Sequence, residues 1–134
     1  MFTPQNKGTA PRERILLVED DDGVRRSLHL MLHGRGFEVR SYSAAGSMLA
    51  DPSIIDARFL IADYRLPDSD GLGVRRALAR LGWTGRSVLI TAYPSETLRE
   101  SAASAGYDLV LEKPVRQHEL IGALDAPRPA GEEV

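Results

Sequence analysis

The sequence of 134 residues predicts an α/β fold, a five-stranded parallel sheet with helices on both faces. Three observations carry this. Short strand-like runs recur five times, four of them apolar and one alternating, each too short for a helix, which usually needs about ten residues or more. Each run is followed by a segment that reads as a helix. Four of the five runs end in a polar side chain, as strands do when their carboxyl ends line a ligand-binding edge. Strands alternating with helices make βα units, and repeated βα units give a parallel sheet.

The elements follow in order. Ile15-Leu16-Leu17-Val18 is the first run and leads into Glu19-Asp20-Asp21-Asp22. Val24, Leu28, Met31 and Leu32 then recur at helical spacing, and Gly34 and Gly36 end that helix. Residues 37–42 alternate as an edge or half-buried strand does. A short helix over about 44–50 stops before Pro52, because the residue preceding a proline is pushed out of the helical region. The run 57–62 ends at Asp63, and Pro67 and Gly71 punctuate the loop beyond it. Leu72, Val74, Leu78 and Leu81 mark a third helix, ended by Gly82. The fourth strand is Ser87-Val88-Leu89-Ile90, ending in Thr91-Ala92. Ser95 is placed to cap a helix that runs to about Ala105, with Gly106 behind it. Leu109-Val110-Leu111 is the fifth strand, ending in Glu112-Lys113-Pro114, and the last helix spans 115–124.

Composition narrows the function classes. Hydrophobic residues at 43% and charged residues at 27% suit one globular domain with a core. A net charge of −2 gives no electrostatic footprint for nucleic acid. The absence of cysteine excludes disulfides, thiolate catalysis and cysteine-based zinc sites. No apolar window is long enough for a membrane span, and no signal-peptide core is present, so the expected location is the cytoplasm. Residues 1–12 and 126–134 are polar and proline-bearing and read as a disordered leader and tail around a domain at 13–125.

In a parallel sheet, the polar residues at the strand ends share one edge. They are Glu19, Asp20, Asp63, Thr91 and Lys113. Three carboxylates in one place repel unless a cation joins them, and hard oxygen donors suit Mg²⁺. Lysine offers a point charge to phosphate oxygens, and a threonine hydroxyl with the next backbone N–H can donate to the same oxygens. The set suits transfer of a phosphoryl group to a carboxylate nucleophile. Lys113 is one of two lysines against fifteen arginines, and the other, Lys7, lies in the leader. Asp21 and Asp22 read as a solvated helix start that favours the helix dipole. His29 and His33, four residues apart with no third ligand apparent, read as surface or packing residues. His118 reads as surface, Phe37, Tyr42 and Trp83 as packing. Arg25, Arg26, Arg75, Arg76 and Arg80 are expected on helix surfaces, with Arg25 and Arg26 flanking the pocket, where a partner could meet them.

The segments ILLVEDD (Ile15 to Asp21), DYRLPDSDG (Asp63 to Gly71), LITA (Leu89 to Ala92) and EKP (Glu112 to Pro114) stand in one order and spacing. In that combination the chain resembles the receiver domain of bacterial two-component response regulators over roughly 14–124. The resemblance implies a flavodoxin-like, doubly wound (βα)5 fold with strand order 2-1-3-4-5. It implies Asp63 as phosphoacceptor, Asp20 as a direct Mg²⁺ ligand, Glu19 as a ligand mainly through water, and Arg65 as a metal ligand through its backbone carbonyl. Mn²⁺ would substitute. Thr91 would be the switch hydroxyl, Ala92 would supply a backbone N–H, Lys113 would pair with phosphate, and the Lys113–Pro114 bond would be cis. The implied partners are a histidine kinase or histidine phosphotransfer protein and a downstream protein target, with no nucleic acid or membrane. A monomer, or a weak homodimer through the face of helix 4, strand 5 and helix 5, is implied.

Two alternatives compete with this reading. An aspartate-nucleophile phosphatase of the haloacid-dehalogenase type also uses Mg²⁺, but its Asp-x-Asp pattern meets Arg65 here, and a capping domain has no room. A receiver-like module that is never phosphorylated usually lacks the aspartate, the lysine or the acidic pair, and all are present. With only a short tail after Leu124, no DNA-binding or enzymatic effector is expected on this chain: it would be either a single-domain regulator or a receiver cut from something longer. The sequence also departs from the family. Val110 stands three residues before Lys113, where many receivers carry Tyr or Phe, and neither Tyr107 nor Tyr93 is aligned with that position. A branched valine has no ring to swing, so the response is expected in the loop 92–95 and the weakly packed helix behind it.

Overall fold

Strands with apolar side chains on both faces belong inside a sheet, and those with polar positions belong at its edges. The computed structural model, which describes residues 12–125, follows that rule. β1 (Arg14–Val18), β3 (Phe59–Asp63) and β4 (Arg86–Thr91) are buried almost throughout and form the centre. β2 (Glu38–Tyr42) is half-buried at every position, and β5 (Leu109–Glu112) is exposed at both ends. The order is β2-β1-β3-β4-β5, with every pairing parallel. The predicted doubly wound (βα)5 fold is therefore present. Apart from Arg12, the expected leader and tail lie outside the described residues.

Alternation along the central strands feeds two cores. Ile15, Leu17, Ile61 and Ile90 pack with Leu28 and Leu32 of α1 (Asp22–Gly34) and Leu120 of α5 (Gln117–Asp125). Leu16, Val18, Leu60 and Leu89 pack on the other face with Met48 of α2 (Ala45–Leu49), Leu72 and Leu78 of α3 (Gly71–Arg80), and Leu98 of α4 (Glu96–Ala105). Burying each such side chain stabilises the fold by roughly 1.5–3 kcal/mol. Trp83 is buried, and its Nε1 donates to the Ala57 carbonyl at 2.8 Å. Phe37 packs edge-on against Phe59. Tyr42 donates its hydroxyl to Asp51 Oδ2 at 2.6 Å. That hydroxyl, together with the Ser53 side chain and N–H, holds Asp51 down at about 2.

The helix starts at the carboxyl edge are fixed by short polar side chains. Asp21 accepts from Val24 N–H, Asp70 from Gly73 N–H and Ser95 from Leu98 N–H. Each such cap contributes about 1 kcal/mol. Gly106 ends α4 with φ 111°, a left-handed conformation that glycine adopts without the Cβ penalty. α2 has no side-chain cap of its own at Ala44. Asp68, from the loop after β3, supplies it by accepting from Ala45 and Gly46 N–H at 2.9 and 2.8 Å. These bonds hold the Asp68 carboxyl below its ordinary range.

Several readings need correction. Arg75, expected on the surface, is buried. It lies three residues from both Leu72 and Leu78, on the apolar side of α3. Its Nε donates to Ser87 Oγ at 3.2 Å, and its guanidinium sits 5.1 Å from the centre of the Trp83 ring. A planar cation on a long aliphatic stem can be buried that way, which charge alone would forbid. Val24 and Leu81, counted on apolar faces, are exposed. A 3₁₀ helix, Pro52–Asp56, fills the segment before β3, with Asp51 as its cap and Pro52 in its first turn. α5 starts at Gln117, two residues later than expected. His29 Nδ1 lies 2.6 Å from Ser41 Oγ and its ring stacks on His33, while His118 is exposed. Among the described residues, no helix is long and apolar enough to cross a membrane.

Candidate functional site

Hydrogen bonding between neighbouring strands continues one residue past three strand ends, which fixes the backbone where the polar residues stand. Glu19 N–H donates to Tyr42 O at 3.0 Å, Tyr64 N–H to Ile90 O at 2.9 Å, and Lys113 N–H to Thr91 O at 2.8 Å. Glu19, Asp63, Thr91 and Lys113 thus reach one edge from four adjacent strands. With Asp20, Asp21, Arg65, Ala92 and Tyr93 they line a cleft of ≈ 340 Å³. All seven residues expected in the site are in that lining.

Lys113 is the centre of the cleft. Its Nζ donates to Asp63 Oδ2 at 2.7 Å and lies 3.0 Å from Glu19 Oε1. The second contact is an ion pair outside hydrogen-bond alignment, so Glu19 Oε1 is a buried oxygen without an aligned donor. Its other oxygen accepts from Asp21 N–H at 3.0 Å. Asp63 Oδ1 accepts weakly from Arg65 N–H at 3.3 Å. Glu19 is fully buried and Asp63 nearly so, whereas Asp20 is exposed.

Burial pushes the Glu19 carboxyl upward more than the Asp21 N–H and Lys113 pull it down, and the neighbouring Asp63 charge adds to the rise. For Lys113, burial alone would lower the ammonium, but its bond to Asp63 and its pairing with Glu19 overcome that and leave it raised. Lysine therefore stays charged, a single ammonium against three carboxylates.

Oxygen atoms of Glu19, Asp20 and Asp63 all lie within 4.8 Å of one another. An all-oxygen set in which Glu19 Oε1 has the Lys113 ion pair but no aligned hydrogen-bond donor fits a hard divalent cation that retains water. Thr91 is buried, and its Oγ1 accepts from Tyr93 N–H at 3.2 Å, while Ala92 is exposed at the rim. The Lys113–Pro114 peptide bond is cis. Arg25, expected to flank the pocket, braces it: its Nη1 donates to the Glu19 carbonyl at 2.8 Å and its Nη2 to Asp22 at 2.6 Å.

Residues 15–125 match the family model described as the response regulator receiver domain. The chain belongs to that family. Receiver domains are signalling domains of two-component systems, and the resemblance read from four short segments extends over the whole described fold. The response regulator protein TmoT of Ectopseudomonas mendocina is 32% identical over 110 residues, covering 82% of this chain and 50% of that protein. The receiver thus spans about half the length of the curated relatives it matches. Among solved structures, a CheY-like receiver domain protein from Methanospirillum hungatei JF-1 is 28% identical with a TM-score of 0.75, over 83% of this chain and 89% of that one. The chemotaxis protein CheY4 of Vibrio cholerae reaches a TM-score of 0.80 at 20% identity, over 85% and 97% of the two chains, which speaks for the fold alone.

Two contacts around the cleft had no local signal in the sequence. Asp68 ties the loop after Asp63 to the start of α2, 23 and 22 residues away. Tyr107, expected only as a ring out of alignment, is buried and donates its hydroxyl to the Gly71 carbonyl at 2.7 Å. Val110 is half-buried against the same core, without a ring to swing.

Proposed function

We propose that this receiver accepts a phosphoryl group on Asp63 from a histidine kinase or histidine phosphotransfer protein, in a reaction that needs Mg²⁺ or Mn²⁺. It then switches conformation to control a protein partner. The observation that carries the reading is Lys113 set between the buried carboxylates of Asp63 and Glu19, with Asp20 beside them. A new bond forms from an Asp63 carboxylate oxygen to phosphorus as the bond from phosphorus to the donor imidazole nitrogen breaks, and the electron pair stays on that nitrogen. The Lys113 contact at Oδ2 and the Arg65 N–H at Oδ1 hold the carboxylate for attack. Lys113 also faces the charge that develops on the phosphoryl oxygens. Asp20 and Asp63, the Arg65 carbonyl, and Glu19 through water would hold the divalent ion, which when bound neutralises further charge on those oxygens. The acyl phosphate formed is lost to water in the same site, so the domain needs no separate enzyme to return to its starting state.

Intact-mass measurement tests this. After treatment with acetyl phosphate and Mg²⁺ the chain is expected to gain the mass of one phosphoryl group, and to gain nothing when the divalent ion is chelated. Labelling that persists without a divalent ion would contradict the reading.

The switch follows from what the phosphoryl group can bind. Thr91 Oγ1 now accepts from Tyr93 N–H. Donating its hydroxyl to a phosphoryl oxygen, with the Ala92 N–H beside it, gives the phosphorylated state an interaction the other state lacks, which a conformational shift requires. Thr91 is joined by the loop 92–95 to α4, whose buried side chains are Leu98, Ala102 and Ala105, two of them too small to anchor it strongly. Hydrogen exchange with and without beryllofluoride, a phosphoryl mimic, is expected to change at 92–105. A response confined to another surface would sink this route. The α4, β5 and α5 face, where Leu109 of β5 is exposed, is the surface for a partner or a weak homodimer.

A further inference from the structure

We propose that Tyr107 is a positioning residue for the Asp63 loop, holding through the Gly71 carbonyl the backbone that presents the cation-binding groups. The inference rests on the reading of Asp63 as phosphoacceptor.

Tyr107 lies between Gly106, which ends α4, and β5. Its ring is buried against the α2, α3 and α4 core, and its hydroxyl reaches the first residue of α3 at 2.7 Å. Burial pushes the phenol upward, so it remains a donor. The receiving residue is placed against the site. Gly71 N–H donates to the Tyr64 carbonyl at 2.8 Å. A Cβ on Gly71 would stand 2.7 Å from the Asp63 carbonyl oxygen and 3.3 Å from Tyr64 Cα, so only glycine lets these backbones touch. Between them the loop closes on itself through the Arg65–Asp70 bridge and the Leu66 N–H to Ser69 O bond. The segment 63–71 is one closed unit. Its tip is tied to α2 by Asp68 and its base to the α4–β5 junction by Tyr107.

Moving the base of such a unit moves Asp63 and the Arg65 backbone together. β5 also carries Lys113, six residues after Tyr107. The tyrosine therefore sets the distance between the strand that delivers the lysine and the loop that delivers the carboxylate. A ring in this place joins α4 and β5 to the site without swinging, which gives a physical use for an aromatic outside the usual position when Val110 fills it.

A merely structural role for the hydroxyl has a built-in control. Trp83 also donates to a buried main-chain carbonyl, Ala57 O at 2.8 Å, where β3 begins rather than at its carboxyl end. Tyr107→Phe removes that one bond, whereas Trp83→Phe removes the bond to Ala57 together with part of a buried ring that faces the Arg75 guanidinium, which makes it the harsher control. The rate of phosphoryl uptake from acetyl phosphate is measured against Mg²⁺ concentration for wild type and both variants, well below their melting temperatures. For Tyr107→Phe the half-saturating Mg²⁺ is expected to rise about five-fold, the scale of one net hydrogen bond. The rate at saturating Mg²⁺ stays near wild type, and Trp83→Phe keeps both values. Calorimetric titration with Mg²⁺ alone reads the same shift without the reaction. Equal half-saturation in the two variants would overturn the proposal while leaving the phosphoacceptor reading intact. A wild type that takes up no label would instead remove that reading. If Tyr107→Phe does not fold, the unaltered chain decides: Mg²⁺ is expected to slow hydrogen exchange at the Gly71 amide, and no change there overturns the inference.

Discussion

Asp63→Asn is expected to take up no phosphoryl group, from acetyl phosphate or from a phosphohistidine donor. The amide oxygen is neutral and a poor nucleophile, so the loss is expected to exceed about a hundredfold in rate, the scale on which covalent catalysis depends on its nucleophile. The neighbouring acids do not rescue it. Glu19 is fully buried, with Oε2 held by the Asp21 N–H and Oε1 against Lys113, and Asp20 lies toward solvent without the lysine contact. The same substitution removes one of three crowded carboxylates and leaves Lys113 with Glu19. Relief of repulsion then offsets the lost ion pair, and the metal-free variant is expected to melt at or above the wild-type temperature. Intact mass after donor treatment and thermal melts without Mg²⁺ check the two halves separately. Label on the variant would move the phosphoacceptor elsewhere, and a large fall in melting temperature would mean that Asp63 is held for stability more than for reactivity.

The parts of this molecule that were legible in the sequence share a physical origin. A strand covered on both faces reads as a short unbroken apolar run, and such runs of three or four residues stand in the sequence at β1, β3 and β4. Residues that end such runs are forced to one edge by the parallel topology, so Glu19, Asp63, Thr91 and Lys113 could be gathered before any distance was known. Ser95 and Gly106 bound α4 through bonds to residues three or four positions away. What escaped depends on contacts across the chain. Arg75 is a charged side chain on α3 whose burial is made tolerable by Trp83 and Ser87, and by Gly106, where a side chain would strike its guanidinium. The Tyr107 hydroxyl meets a carbonyl 36 residues away, and nothing at position 107 specifies that partner. Asp68 is a loop carboxylate whose partners at the start of α2, a helix that lacks a cap of its own, stand 23 and 22 residues away. Periodicity fixes which way a residue faces, but not what it finds there.

Asp20→Ala is expected to weaken Mg²⁺ binding by tenfold or more, and Glu19→Gln by much less. The two acids are adjacent in sequence and differ in what the protein already asks of them. Both Glu19 oxygens are engaged, one by the Asp21 N–H and one by the Lys113 ammonium, and the side chain has no exposure with which to turn toward a cation. Its charge acts at a distance, through water. Asp20 is exposed at the cleft rim and within reach of the Asp63 carboxylate. A direct ligand loses a full charge at contact, and at an effective dielectric near 20 a unit charge at 4 Å is worth about 4 kcal/mol, so even a heavily screened remainder exceeds one factor of ten. The two variants also separate by pH without metal. The Glu19 carboxyl is raised above 4.5, first by burial. Its contribution to stability is therefore fully present below pH 4.5 and is lost as pH rises through the raised value. Glu19→Gln removes that loss, so the metal-free variant is expected to be more stable than wild type at neutral pH and to vary less with pH from 4.5 upward. Thermal melts across this range, each with and without Mg²⁺, measure both effects. Equal Mg²⁺-dependent shifts in the two variants would contradict the division of roles between the acids, and a Glu19→Gln variant that melts lower at neutral pH would show that the Lys113 ion pair outweighs the burial of its partner.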